Sequence, residues 1–270
     1  MSTRDASGPA QAPRSVGRPP KYETEELRAR LIDVGLAAIV EEGISHGLDA
    51  VRLESAIQRA RVPRRAAYRL WENDKTGSPQ DAYRREVLIA LLQTVPLTRG
   101  LDMTRDAATE ELARQAEALA SGEEDRRAAA VRNVLRTGAA ANFDNIGDNP
   151  MWRAYRTAIG AATTQPHGDP DVLAAAREGE RQIVTKYGEL FADFAAVMGL
   201  RLAPGLTMNE FVICSYALSE GLANRTTNDM YRLTGIPLPG DDGEEEWTLL
   251  GIGFVALVER FFEPIPDDER

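Results

Sequence analysis

The chain has 270 residues, 43% of them apolar and only 6% aromatic, with a formal net charge of −10. This is enough apolar material for a sizeable core and too much length for a lone DNA-binding module, and the weight of Leu, Ala, Arg and Glu favours helices over sheets. No apolar run approaches the roughly 20 residues that cross a bilayer, and the single cysteine, Cys214, excludes an intrachain disulfide and a Cys-rich zinc site.

Residues 1–22 are rich in Pro, Ser, Ala and Gly with no hydrophobic period and read as a disordered basic arm. They lack the apolar region of a secretory signal, so a cytoplasmic protein is expected. The arm ends in Gly17-Arg18-Pro19, and an extended Gly-Arg-Pro can lay Arg18 into a narrow, A·T-rich minor groove. A first helix is predicted from Thr24 as N-cap, with Leu27, Leu31, Val34, Ala38 and Ile39 as its apolar stripe. Gly43 weakens it. Asp49 is the expected N-cap of a second helix whose core face is Leu53, Ala56 and Ile57. Arg61-Val62 makes a turn, and Pro63 begins a third helix running to about Trp71.

Charge is unevenly placed along the chain. Residues 1–75 hold 13 Lys and Arg against 11 Asp and Glu, and the remainder holds 19 against 31. Within 52–71 there are six arginines and one glutamate. A polyanion responds to the local patch rather than to the net charge, although a patch of this kind is also what a solvated helix face looks like.

Beyond Asn73–Gln80, a polar loop, Ser78 caps a helix with Pro79 at its first position and Asp81 at its third, and this helix stops before Pro96. Helical patterns follow over Thr104–Ala120, Asp125 to about Phe143, and a short aromatic stretch opened by Asn149-Pro150. Asp169-Pro170 opens a long helix to about Met198, near 40 Å at about 1.5 Å per residue. Thr207 caps a helix to about Asn224, and a polar loop spans Asp229–Gly243. The last helix is expected over Glu244–Phe262. No strand alternation, hairpin signal or internal repeat is evident. The fold class is therefore all-α, divided into an arm (1–22), a three-helix unit (23–78) and a helical bundle (79–270).

Three stretches carry a resemblance: Gly47-Leu48-Asp49-Ala50-Val51-Arg52-Leu53, Ala60-Arg61-Val62, and Tyr68-Arg69-Leu70-Trp71 with Lys75 beyond. Across roughly 27–92 they resemble the DNA-binding domain of the tetracycline-repressor (TetR/AcrR) family, in which the third helix is the recognition helix of a helix-turn-helix. The pattern departs from the family at Arg61, where a turn Gly is usual, at Pro63, where a Ser is usual, and at Arg52, where a Thr caps the second helix. The resemblance implies a homodimer on a palindromic double-stranded DNA operator. It also implies a small-molecule effector that shifts the helix after Ser78.

The DNA-contacting residues expected are Arg18, Arg52, Arg64, Arg65, Tyr68, Arg69 and Lys75. Arg64 and Arg65 lie in the first turn of the third helix, where Arg can bond guanine O6 and N7 bidentately. Tyr68 and Arg69 suit phosphates. Trp71 reads as core. Pocket walls are sought among the bulky side chains Phe143, Met151, Trp152, Tyr155, Tyr187, Phe191 and Tyr216, with Phe194 and Phe211 in the same set and Asn142 and Arg156 as polar handles. The dimer interface implied for the last two helices comprises Leu218 and Leu222 on one and Trp247, Leu250, Gly253, Phe254, Leu257 and Phe261 on the other.

No cofactor or metal is expected, and no enzyme. His46 and His167 sit beside glycines in loops, and Gly251-Ile252-Gly253-Phe254-Val255-Ala256 matches a dinucleotide-binding fingerprint without the strand it needs. The alternative reading is a helical small-molecule-binding or scaffold protein whose helix-turn-helix no longer reads DNA.

Overall fold

The computed structural model describes residues 23–43, 48–94, 97–164, 169–226, 231–240, 243–266 and 269. The expected arm with Arg18, the lead-in glycine Gly47 and both histidines lie outside the described residues. The described chain is mostly helical, with eleven helices and four short strands.

Helix α1 (Thr24–Glu42) has Glu23 as its N-cap without a side-chain bond, so Thr24 is its first residue rather than its cap. Glu25 and Glu26 lie at its positive end, and Gly43, at φ 74°, ends it. Helix α2 (Leu53–Ala60) is not capped by Asp49. Its N-cap is Arg52, which has extended backbone and offers no side-chain bond. The missing acceptor comes from elsewhere in the chain: the Leu53 N–H donates to Gln80 Oε1 at 2.8 Å while Gln80 Nε2 donates to the Val51 carbonyl at 2.8 Å. Arg61 then turns the chain in the left-handed region (φ 53°, ψ 46°), the only non-glycine with positive φ among the described residues. Pro63 is the N-cap, not the first residue, of helix α3 (Arg64–Arg69). Six residues are too few for a helix to stand alone in water. Fully buried Ala67, with Val62 and Trp71, fixes α3 to the core instead.

Helix α4 (Pro79–Gln93) is capped as expected, Ser78 Oγ accepting from the Asp81 N–H at 3.3 Å. Then come α5 (Leu97–Arg114), α6 (Ala116–Leu119), α7 (Glu124–Asp148), α8 (Pro150–Thr164) and α9 (Pro170–Val197). Asn149 Oδ1 accepts from the N–H groups of Met151 and Trp152 at the start of α8. Asp169 caps α9 through the N–H groups of Asp171 and Val172. Helix α10 (Met208–Ala223) begins with a capping box between Thr207 and Glu210, which satisfies two orphan donors reciprocally.

The expectation of no strands is corrected. Strand β1 (Leu200–Leu202) pairs antiparallel with β4 (Phe262–Pro264), and β2 (Ile236–Gly240) with β3 (Gly243–Trp247). The β2–β3 hairpin escaped notice because Pro237 and Pro239 punctuate its apolar alternation. Proline in a strand is tolerated where no ladder N–H is needed, and both prolines are exposed. The last helix, α11 (Leu249–Phe261), accordingly starts five residues later than expected. It is capped by Thr248, which accepts from the Gly251 N–H, and Trp247 belongs to β3.

One apolar cluster runs from α1 (Leu31, Ile39) through α2, Trp71 and α4 (Val87, Leu91) to α8 and α9 (Tyr155, Ile183, Leu190). Each such fully buried aliphatic side chain contributes about 1.5–3 kcal/mol. Tyr83 sits at its middle, edge-on to Trp71 with ring centroids 5.2 Å apart, and donates its hydroxyl to the Leu31 carbonyl at 2.8 Å. Helix α4 is therefore core to the first three helices and to the bundle alike. A second cluster joins Leu135, Phe211, Val258 and Phe261 at the other end of the bundle.

Candidate functional site

The exposed side of α3 and the turn before it carries Arg61, Arg64, Arg65 and Arg69, all solvent-facing. Two of the expected contact residues are held by a residue absent from the expected set. Glu54, in the first turn of α2, accepts the Tyr68 hydroxyl at 2.6 Å and pairs with Arg64 Nη2 at 2.8 Å. Arg64 also lies over the Tyr68 ring at 5.4 Å, and the bond to Tyr68 together with the Glu54 charge favours its cationic form. Arg65 and Arg69 make no ion pair among the described residues, so their charge is uncompensated. Arg52 donates to the Asp49 carbonyl at 3.1 Å. Lys75 pairs with Asp171 at the head of α9, 2.9 Å away, and so reaches toward the bundle. Glu54 was legible only as helix-start acid. Its role depends on the turn bringing α2 and α3 side by side.

Beside Lys75, Arg85 of α4 pairs with Asp169 at 2.6 Å and also with Asp171. The Arg85 guanidinium holds the Asp169 carboxyl below its ordinary value, and Lys75 does the same for Asp171. The cap of α9 is thus tied to α4 and to the segment after α3.

The bundle contains a cavity among α5, α7, α9, α10 and α11. The space open to the centre of a water-sized sphere is about 70 Å³. Of the expected pocket residues, Asn142, Tyr187, Phe191 and Tyr216 line it, as do Phe194 and Phe211. The others do not. Phe143 is buried with Ala139, Leu233 and Leu250, and Trp152 with Ile146 and Ala223. Met151 packs on the first cluster, and Tyr155 is wholly within it. Arg156 is not a pocket handle either: it pairs with Glu220 at 2.5 Å and approaches Glu180 at 3.9 Å. These five lie away from this cavity, since residue type alone does not say which side of a helix faces a void.

The cavity wall is apolar except for a few side chains. Asn142 Nδ2 donates to Thr104 Oγ1 at 3.2 Å and to the Tyr187 hydroxyl at 3.3 Å. Burial pushes the Tyr187 phenol up, so it stays neutral. Thr104, on the far side of the bond, is a residue that sequence reasoning missed; nothing in its local pattern separates it from a solvent-facing threonine.

At one side of the cavity Tyr216 lies beneath the Arg156 guanidinium, 5.9 Å from it. Arg156 joins Glu220 and Glu180, and Glu180 accepts the Tyr155 hydroxyl at 3.3 Å. Burial pushes Glu220 up, and Arg156 opposes that shift. The residues expected at a dimer interface divide into two groups. Trp247, Leu250 and Phe261 lie inside the chain's own core, and Gly253 accommodates Leu218 of α10. Leu218, Leu222, Phe254 and Leu257 are half-buried. Ile213 on α10 is 56% exposed, a large apolar side chain facing outward on the same helix.

Among the described residues no three His, Cys, Asp or Glu side chains are grouped to hold a metal, and no helix is long and apolar enough to cross a membrane. No family model matches the chain, and no curated protein does. A solved structure described as that of a protein with unknown function from Rhodococcus sp. RHA1 is similar over 76% of this chain and 84% of its own, at 16% identity and a TM-score of 0.40.

Proposed function

We propose that the protein is a ligand-responsive DNA-binding transcriptional regulator, a repressor acting as a homodimer on a palindromic operator. The observation that carries this reading is the pair α2–α3, joined at the left-handed Arg61 turn and presenting Arg65 and Arg69 without ion-pair partners among the described residues. A short helix with free arginines in this setting fits a major groove about 12 Å wide. The resemblance to the tetracycline-repressor family over 27–92 supports the same assignment. In this reading α4 is the lever. It shares a core with the DNA-reading helices and with the bundle that encloses the cavity, so an effector in the bundle biases the position of α3. The homodimer would form through α10 and α11, on which Leu218, Leu222 and Leu257 are half-buried.

Glu54 favours a second reading, a helical ligand-binding protein that does not read DNA, because it neutralises Arg64 and occupies Tyr68. A gel shift with the DNA flanking the protein's own gene separates the two. Binding should weaken steeply with salt as counterions are released, and Arg65→Ala should cost about 1–3 kcal/mol if Arg65 reads a base. Equal affinity of the wild type and the Arg64→Ala/Arg65→Ala double variant would sink the DNA-reading assignment.

A further inference from the structure

The cavity's polar groups are unevenly satisfied, and the imbalance specifies a ligand. Asn142 and Tyr187 are each more than nine-tenths buried. Both amide protons of Asn142 are committed, to Thr104 and to Tyr187. Its oxygen Oδ1 has no donor among the described residues. The Tyr187 oxygen accepts from Asn142, and its own hydroxyl hydrogen has no acceptor among them. One free acceptor, Asn142 Oδ1, and one free donor, the Tyr187 hydroxyl, therefore belong to two side chains that a 3.3 Å hydrogen bond joins, on an apolar wall formed by Leu135, Leu190, Phe191 and Phe254. A buried donor or acceptor left unpaired keeps its full desolvation penalty, so the site selects a ligand that pairs with both. Among the described residues no Asp, Glu, Lys or Arg lines the cavity, which disfavours a charged ligand.

The geometry points to a cavity that binds an uncharged apolar alcohol or phenol, whose hydroxyl donates to Asn142 Oδ1 and accepts from Tyr187. The space holds about five waters, or roughly 150 Å³ of ligand, the size of a two-ring aromatic rather than of a large drug-like molecule. This names the effector class for the regulator proposed above and rests on the ligand-binding half of that reading alone.

The test is calorimetric titration of the full chain, without DNA, by three probes: 2-naphthol, its methyl ether 2-methoxynaphthalene, and 2-naphthoate. The ether fills the same space and can still accept from Tyr187, but it cannot donate to Asn142. The wild type should bind 2-naphthol about five- to tenfold more tightly than the ether, the factor that one hydrogen bond of about 1–1.4 kcal/mol gives. The anionic naphthoate should bind most weakly. In Asn142→Leu the preference for naphthol over ether should vanish, and in Tyr187→Phe both should weaken together. Equal affinity of the wild type for naphthol and ether overturns the inference, as does tighter binding of naphthoate or no binding of any probe. These comparisons within the wild type stand even if a variant does not fold. A gel shift that fails while naphthol still binds removes the DNA reading and leaves this inference intact.

Discussion

Two helical glycines carry a prediction of opposite signs for the same substitution. Gly160 lies within α8, and a Cβ built there meets nothing within 4 Å. Gly179 is buried within α9, and a Cβ there would run into the backbone carbonyl oxygen of Leu92 in α4, with the Tyr155 hydroxyl 3.1 Å away. Alanine is favoured over glycine in a helix interior by about 0.8–1 kcal/mol. Gly160→Ala should collect that gain, raising Tm by about 2–4 °C for a chain of this size. At Gly179 the same gain is set against overpacking of about 1–3 kcal/mol, and a carbonyl locked in a helix cannot rotate aside as a side-chain tip can. Because the nearest atom is rigid backbone, the overpacking lies in the upper part of that range, and the net should be a loss of about 1–2 kcal/mol, a fall in Tm of about 2–8 °C. Thermal melts followed by circular dichroism, with urea unfolding alongside, measure both. If Gly179→Ala raises Tm as Gly160→Ala does, α4 and α9 are not in backbone contact, and the argument that α4 is clamped to the bundle fails.

The turn at Arg61 should respond to side-chain shape rather than charge. Arg61→Gly relieves about 1–2 kcal/mol of left-handed strain and gives back about 0.4–1 kcal/mol through unfolded-chain entropy, a net gain of about 0.5 kcal/mol, while β-branched Arg61→Val should lose more than about 1 kcal/mol. Identical urea midpoints for the two variants would contradict the left-handed turn. Acid stability offers a test with two signs. Asp169 and Asp171 are held below their ordinary value of 3.8, so they contribute stability that is complete above that value and lost as pH falls through their lower folded values. Arg85→Met should flatten this acid limb. Glu220 is shifted upward by burial, so stability falls as pH rises from the ordinary carboxylate value of 4.5 through its folded value, and Glu220→Gln should remove that decline. Urea midpoints measured between pH 3 and 7 that run parallel in all three proteins would refute both assignments.

Most helix positions were legible because their signals are local. Ser78-Pro79, Asp169-Pro170 and Thr207 each state a helix start in one or two residues, and the structure uses each of them. Helix α2 was misread at its start because its cap is Gln80, 27 residues away, and no pattern in Asp49–Leu53 reveals that. The β1–β4 pairing is likewise invisible locally: Leu200–Leu202 and Phe262–Pro264 are three residues each and some sixty residues apart. The candidate site divides the same way. The arginines of α3 could be named from composition and spacing, but the pairing of Arg64 with Glu54 depends on the angle that Arg61 sets. The cavity could be assigned to the bundle's aromatics only as a set. Which of them face the void is decided by the rotation of α7, α9 and α10 about their axes, a property of the assembled bundle.

That assembly suggests how the two halves of the proposed regulator would communicate. Tyr216 lines the cavity and lies beneath Arg156, which joins Glu220 of α10 to Glu180 of α9. Glu180 holds the Tyr155 hydroxyl, and that hydroxyl sits beside Gly179, where α9 abuts the end of α4. Three charges and two phenols thus stand between the void and the lever helix, with two carboxylates sharing one guanidinium. Such a cluster is sensitive to small displacements: a buried carboxylate that loses its cation faces a penalty of several kcal/mol, and packed interiors shift between discrete arrangements rather than deform continuously. A ligand that moves Tyr216 therefore acts on the pairing of Arg156, while the Arg85–Asp169 clamp fixes α4 nearer its start as the pivot. The physical requirement is that the ligand favour one pairing of Arg156 over the other, and this places the expected energetic link at Arg156 rather than at the aromatic wall.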